Sequence, residues 1–160
     1  MKEWAIVDLD GTLCDTRLRV HFADAARTAK TQDERNRLWD NFHRRCAEDA
    51  PVEGVASLVR AWYKAGNGVV YLTGRTEPWR AATLTWLRAH KLPNLDCPLY
   101  MRAANDWAHS TEFKMESYMR IVESLGPNTR VAFALEDADR LVKMWRTIGV
   151  CCLQVGVDLS

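Results

Sequence analysis

Neither sign of charge dominates this sequence: 22 lysines and arginines stand against 21 aspartates and glutamates, for a formal net charge of +1. So even a balance excludes a broad field that would draw nucleic acid or an anionic membrane to the whole surface, and any anionic ligand must be captured by a local cluster. Long apolar runs are missing as well. No stretch approaches the roughly 18 residues of a membrane span, and Met1-Lys2-Glu3-Trp4 leads into a charged strand instead of a secretory leader. The five cysteines (Cys14, Cys46, Cys97, Cys151, Cys152) form no C-x-x-C pair and read as reduced, buried thiols of a cytoplasmic protein. There is no internal sequence repeat and no low-complexity tract.

What remains is an ordinary globular composition, 48% hydrophobic and 27% charged over 160 residues, enough for one core with a small insertion. Trp4 to Leu9 reads as an apolar strand that ends in carboxylates and meets the turn Asp10-Gly11-Thr12. Residues 17–50 are polar and rich in helix formers, with a stripe at Leu38, Trp39, Phe42 and Cys46, and read as a small helical insertion. Val55, Leu58, Val59 and Trp62 then mark a helix closing at Gly66. Val69 to Leu72 is a strand, Thr73-Gly74-Arg75 a turn, and Pro78 the first residue of a helix carrying Trp86 and Leu87. The unit returns twice more: a strand over Pro98 to Met101 and a helix over 111–125, then Val131 to Leu135, a helix with Leu141, Val142, Trp145 and Ile148, and a last strand from Cys151 to Val155. Such alternation predicts an α/β fold, a doubly wound parallel sheet covered on both faces.

In such a sheet ligands gather at the carboxyl ends of the strands. Asp8 and Asp10, Thr73-Gly74-Arg75 and Glu136-Asp137 all fall there, with Lys114 just inside a helix. Clustered carboxylates repel one another unless a cation joins them, and hard oxygen ligands suit Mg²⁺. A lysine, a hydroxyl and free backbone N–H groups beside them form a receptacle for a tetrahedral anion. A carboxylate nucleophile, a metal and a phosphate cradle describe phosphoryl transfer through an aspartyl-phosphate.

Asp8-Leu9-Asp10-Gly11-Thr12-Leu13 resembles the first signature, D-x-D-G-T-L, of the haloacid dehalogenase superfamily, with Thr73-Gly74-Arg75, Lys114 and Glu136-Asp137 similar to its later motifs in the same order. Leu99-Tyr100-Met101-Arg102, Glu136-Asp137 and the stretch from Val142-Lys143-Met144-Trp145-Arg146 to Val155 resemble more closely the 3'-phosphatase domain of phage polynucleotide kinase-phosphatase. That family usually has Asp-Asp-Arg where this chain has Glu136-Asp137-Ala138, and an aspartate where it has Ser110. No G-x-x-x-x-G-K-[ST] loop is present, so the likeness covers the phosphatase half alone. The resemblance implies a Rossmannoid fold with residues 17–50 as a small cap. It also implies Asp8 as nucleophile and Asp10 as general acid and base, with Asp8, Asp137 and the Asp10 backbone carbonyl on Mg²⁺ and Glu136 in support. Thr73 and Lys114 would grip the phosphoryl oxygens, and Arg19, Gly74 and Arg75 would bind phosphate or substrate backbone.

Alternatives stay open at several residues. Arg19, in Arg17-Leu18-Arg19, also suits a plain surface position, and Asp139 suits a helix cap. Trp62, Trp86 and Trp145 fall on core stripes, leaving Trp39, Trp79 and Trp107 as candidates for stacking on bases. Arg35, Arg37, Arg44 and Arg45 suit a solvated helix face or the entrance to the site. The expected substrate is a nucleic-acid 3'-end or a nucleotide, with a phosphatase of free nucleotides or another small ester as the rival and a non-catalytic binding module as the rival from another class. No membrane partner is expected.

Overall fold

A computed structural model describes residues 1–106 and 108–156. The first strand, β1 (Lys2–Val7), supplies the apolar run Trp4-Ala5-Ile6-Val7, in which successive side chains enter opposite faces of the sheet. Ala5, Val7 and Leu9 join a core with Ala56 and Val59 of α3 (Glu53–Lys64) and Trp86 and Leu87 of α4 (Arg80–Ala89). Trp4 and Ile6 enter a second core with Phe113 and Ile121 of α5 (Ser110–Leu125) and Val142 and Trp145 of α6 (Asp139–Thr147). One pair of helices therefore covers each face.

The remaining strands of the sheet are β4 (Gly68–Thr76), β5 (Leu99–Arg102), β6 (Thr129–Glu136) and β7 (Cys152–Gln154), all parallel, in the order β5-β4-β1-β6-β7. The chain builds outward from β1 to β5, then returns to the other side of β1, so strand order reverses beside the Asp8 end of β1. The predicted doubly wound architecture is present.

Between β1 and α3, two short strands, β2 (Cys14–Asp15) and β3 (Ala50–Pro51), pair antiparallel. Between them lie α1 (Val20–Thr28) and α2 (Gln32–Arg44), packed on each other, and a 3₁₀ turn over Cys46–Glu48. Thr31 caps α2 by accepting from the Glu34 amide.

Four local expectations differ. Pro78 lies in a 3₁₀ turn, Glu77–Trp79, and α4 begins only at Arg80. Leu58 is 42% exposed, because the buried line of α3 runs through Ala56 and Val59. Asp139 does not cap α6: Ala138 holds that position, and the Asp139 carboxylate accepts from Gln154 Nε2 at 2.6 Å. All five cysteines are free, with Cys14, Cys46 and Cys152 buried, Cys97 half-buried and Cys151 exposed, so the thiols are only partly the buried set expected. Among the described residues no helix is long and apolar enough to cross a membrane.

Candidate active site

Asp8 follows β1 directly and is buried, its amide donating to the Leu135 carbonyl of β6. The next strand end brings Glu136 and Asp137 beside it, and α5 points Lys114 between them. Lys114 Nζ donates to Asp8 Oδ1 at 2.7 Å and to Glu136 Oε2 at 2.5 Å. Burial works against the charge of Lys114, but the two carboxylates outweigh it and raise its pKa above the ordinary value. Asp8 moves up too, because burial and the nearby charge of Glu136 exceed the help from Lys114. Asp137 is raised by burial and by the charge of Asp8.

Carboxylate oxygens of Asp8, Glu136 and Asp137 all lie within 4.8 Å of one another. Three hard anionic donors in that space fit a divalent ion such as Mg²⁺. Glu136 is partly committed elsewhere: its other oxygen accepts from the amides of Asp137 and Ala138. Asp8 and Asp137 are the freer pair. Asp137 is positioned by Thr12, whose hydroxyl donates to it at 3.0 Å, and by Gly11, which has φ +88° and whose added Cβ would lie 2.5 Å from the Asp137 carboxylate. The D-x-D-G-T run therefore also places an acid more than a hundred residues away.

Asp10 stands apart from that group. Its carboxylate accepts from Arg75 Nε at 3.0 and 3.1 Å, from Arg75 Nη2 at 2.5 Å and from Arg19 Nη2 at 2.5 Å. Burial alone would raise its pKa, but Arg75 and Arg19 overcome burial and hold it well below the usual carboxylate range. Arg19 also grips Asp49 through Nε and Nη2 and donates to the Phe42 carbonyl, while Arg75 reaches Thr83 and Cys14.

Both arginines are fully buried, which corrects the surface alternative for Arg19. Their contacts are to Asp10 and Asp49, not to open space, because ionised arginine enters a protein interior only with carboxylate partners. Thr73 is likewise fully buried, its hydroxyl accepting from the Arg75 amide. Gly74 is exposed, carried out on a bulge where β4 loses register with β5 between Thr73 and Thr76.

Above these groups opens a cavity of about 600 Å³, floored by Asp8, Asp10, Lys114, Glu136 and Asp137, with Gly74 and Arg102 at its sides and α2 across it. Arg102 lies over the Phe113 ring at 4.5 Å and donates to the Ala108 carbonyl. Sequence reasoning gave it no role in the site, nor Asp49 or Thr12, although Arg102 and Thr12 sit in segments that carry the resemblance. Asp49 left no signal beyond its place at the return from residues 17–50. Of the stacking candidates, Trp39 and Trp79 line the cavity and Trp107 lies outside the described residues.

The sequence matches the family described as the polynucleotide kinase PNKP phosphatase domain over residues 2–158. The chain belongs to this family. As a PNKP-type phosphatase domain it is a phosphoric monoester hydrolase of the haloacid dehalogenase superfamily. Among solved structures it is similar to a chain of the Pnkp1/Rnl/Hen1 complex, at 25% identity and TM-score 0.73, covering 97% of this chain and 46% of that one. A chain of the Pnkp1/Rnl/Hen1 RNA repair complex gives 24% identity and TM-score 0.74, covering 97% and 42%. A putative beta-phosphoglucomutase from Thermotoga maritima shares the fold at 16% identity and TM-score 0.61, covering 100% and 88%. This phosphatase domain thus spans less than half the length of its two repair-complex neighbours. No curated protein sequence matches it.

Proposed function

We propose that this chain is a Mg²⁺-dependent phosphomonoesterase that removes 3'-phosphate from a polynucleotide or nucleotide through a phosphoaspartate on Asp8, with residues 17–50 serving as its cap. The observation that carries this reading is the meeting of Asp8, Lys114, Glu136 and Asp137 on the floor of one cavity. The repair-complex neighbours support a nucleic-acid end as substrate, and five free thiols suit a cytoplasmic enzyme.

Asp8, Asp137 and the backbone carbonyl of Asp10 would hold the ion, with Glu136 in support; bound there, Mg²⁺ neutralises the phosphate and the acids around it. Lys114 has three N–H groups and gives two to Asp8 and Glu136, leaving one for a phosphoryl oxygen. Gly74, exposed beside the cavity, would add its backbone N–H as a donor, and the Thr73 hydroxyl, which accepts from the Arg75 amide, keeps its own hydrogen.

Asp8 Oδ attacks phosphorus, the bond from phosphorus to the ester oxygen breaks, and that oxygen takes the Asp10 proton. Water then attacks the phosphoaspartate, giving its proton to Asp10, and the aspartyl bond breaks to free inorganic phosphate and Asp8. Two guanidiniums favour the ionised form of Asp10, which the second half needs. The dianionic phosphate of an arriving substrate opposes them and raises the Asp10 pKa for the first half. Arg19 and Arg75 thus aim Asp10 instead of binding substrate.

Asp8→Asn is expected to abolish phosphate release from a 3'-phosphorylated oligonucleotide, because an amide is a poor nucleophile. Asp10→Asn should lose at least about a hundredfold, and less on a good leaving group. Activity of Asp8→Asn within about tenfold of wild type would remove the phosphoaspartate.

A further inference from the structure

A phosphate group accounts for only the floor of the cavity. The space above it, about 600 Å³ in all, is the size of a site that encloses a whole organic ligand, and α2 forms its wall. Arg35 and Trp39 stand four residues apart on that helix, hence on one face, and both line the cavity.

Trp39 is braced from its own helix. Its ring meets Phe42 edge-on at 5.5 Å and lies nearly parallel to His43 at 6.0 Å and 27°. Phe42 is buried and carries the Arg19 guanidinium 4.0 Å over its face, so the support continues down to Asp10. The Nε1 groups of Trp62 and Trp86 donate to backbone carbonyls; among the described residues Trp39 donates to none. A large half-buried ring, fixed in place without a hydrogen bond of its own and facing a cavity, is a flat apolar surface for a ligand.

Among the described residues the Arg35 side chain donates only to the Ala29 carbonyl, at 3.3 Å. Arg27, Arg44 and Arg45 are each paired with a carboxylate, whereas Arg35 has no such partner among the described residues. One helix face therefore presents an uncommitted cation and, one turn on, a preorganised aromatic plane.

We propose that this face reads a single-stranded 3'-end: Trp39 stacks on the base of the nucleotide whose 3'-phosphate meets Asp8, and Arg35 binds the phosphodiester on its 5' side. The inference rests on the polynucleotide reading given above. Stacking needs an open base face, which a single strand offers and an interior duplex pair does not.

The test compares two 3'-phosphorylated single-stranded oligonucleotides, identical except that one has an abasic terminal residue. For the wild-type chain, removing that base should raise KM about tenfold with little change in kcat, the size of one base–aromatic stack. In Trp39→Ala the ratio of the two KM values should collapse toward one, and Trp39→Phe should restore most of it. Arg35→Ala should raise KM for both oligonucleotides and lower the slope of log KM against log salt by about one contact. Equal KM values for the two oligonucleotides in the wild type would overturn the platform while leaving the phosphatase reading intact, as would undiminished discrimination in Trp39→Ala. If the wild type releases phosphate from neither oligonucleotide, the polynucleotide reading itself falls, and the platform with it.

Discussion

Arg19 and Arg75 bury their guanidiniums completely, and the reason is a count of charges: two arginines meet two carboxylates, Asp10 and Asp49, in one closed group. Asp49 does not line the cavity, and its own backbone carbonyl accepts from Trp86 Nε1 at 2.8 Å. Asp49→Asn leaves Arg19 with half its compensation. Breaking a buried pair costs about 3 kcal/mol, which for a chain of this size lowers Tm by roughly 10 °C. The same change loosens Asp10, so kcat should fall more for poor leaving groups than for good ones. Circular dichroism melts and a leaving-group series check both, and an unchanged Tm would show that Arg19 does not depend on Asp49. The sequence exposed Asp8, Asp10, Lys114 and Asp137 because those residues stand in short, ordered motifs at strand ends. It hid the work of Arg19 and Arg75 because an arginine's partners are set by tertiary contacts: Asp49 is thirty residues from Arg19, and no local pattern connects them.

The elements themselves were legible to within a residue or two wherever the apolar pattern was strong, as in β1, a continuous apolar run buried on both faces, and in α5 and α6, whose buried residues follow a single face. Legibility failed where packing chose the face, as at Leu58, and where a proline could begin either an α-helix or a tighter turn, as at Pro78. Packing also gives two glycines opposite meanings. Gly68 pairs with Trp4 across β1 and β4, and a Cβ there would overlap the indole ring, whereas a Cβ at Gly54 in α3 meets nothing within 4 Å. Gly68→Ala should therefore destabilise the chain by about 1–3 kcal/mol, while Gly54→Ala should stabilise it by about 0.5–1 kcal/mol. Urea denaturation midpoints of the two variants should move in opposite directions, and a shared direction would contradict this packing.

For the molecule as a whole, the acids on the cavity floor make stability depend on pH, and the metal site proposed for them would tie that dependence to divalent cations. The Asp8 carboxyl is raised from 3.8 to about 7 in the folded chain, first by burial and then by Glu136, against the pull of Lys114. Its contribution is thus present at low pH and is lost as pH rises through that value, because the ionised form is the costly one. A cation that binds the ionised form cancels this cost. The rise in Tm produced by saturating Mg²⁺ should accordingly grow between pH 5 and about 7 and then level off. His43, lowered to about 4 by burial, affects the chain equally with and without the ion and drops out of the difference. In Asp8→Asn the Mg²⁺ effect should be small and flat with pH; a large Mg²⁺ shift in that variant, measured by differential scanning fluorimetry, would move the ion away from Asp8. At the same scale, the pairing of β2 with β3 has a further consequence. The stretch holding α1 and α2 leaves and rejoins the rest of the chain at neighbouring points, Cys14 beside Pro51 and Asp15 beside Ala50. Its length and the outer sequence of α1 and α2 can consequently change without shifting the register of any long strand, on one condition: Arg19 just inside its entrance and Asp49 just before its exit must stay, because they hold Asp10.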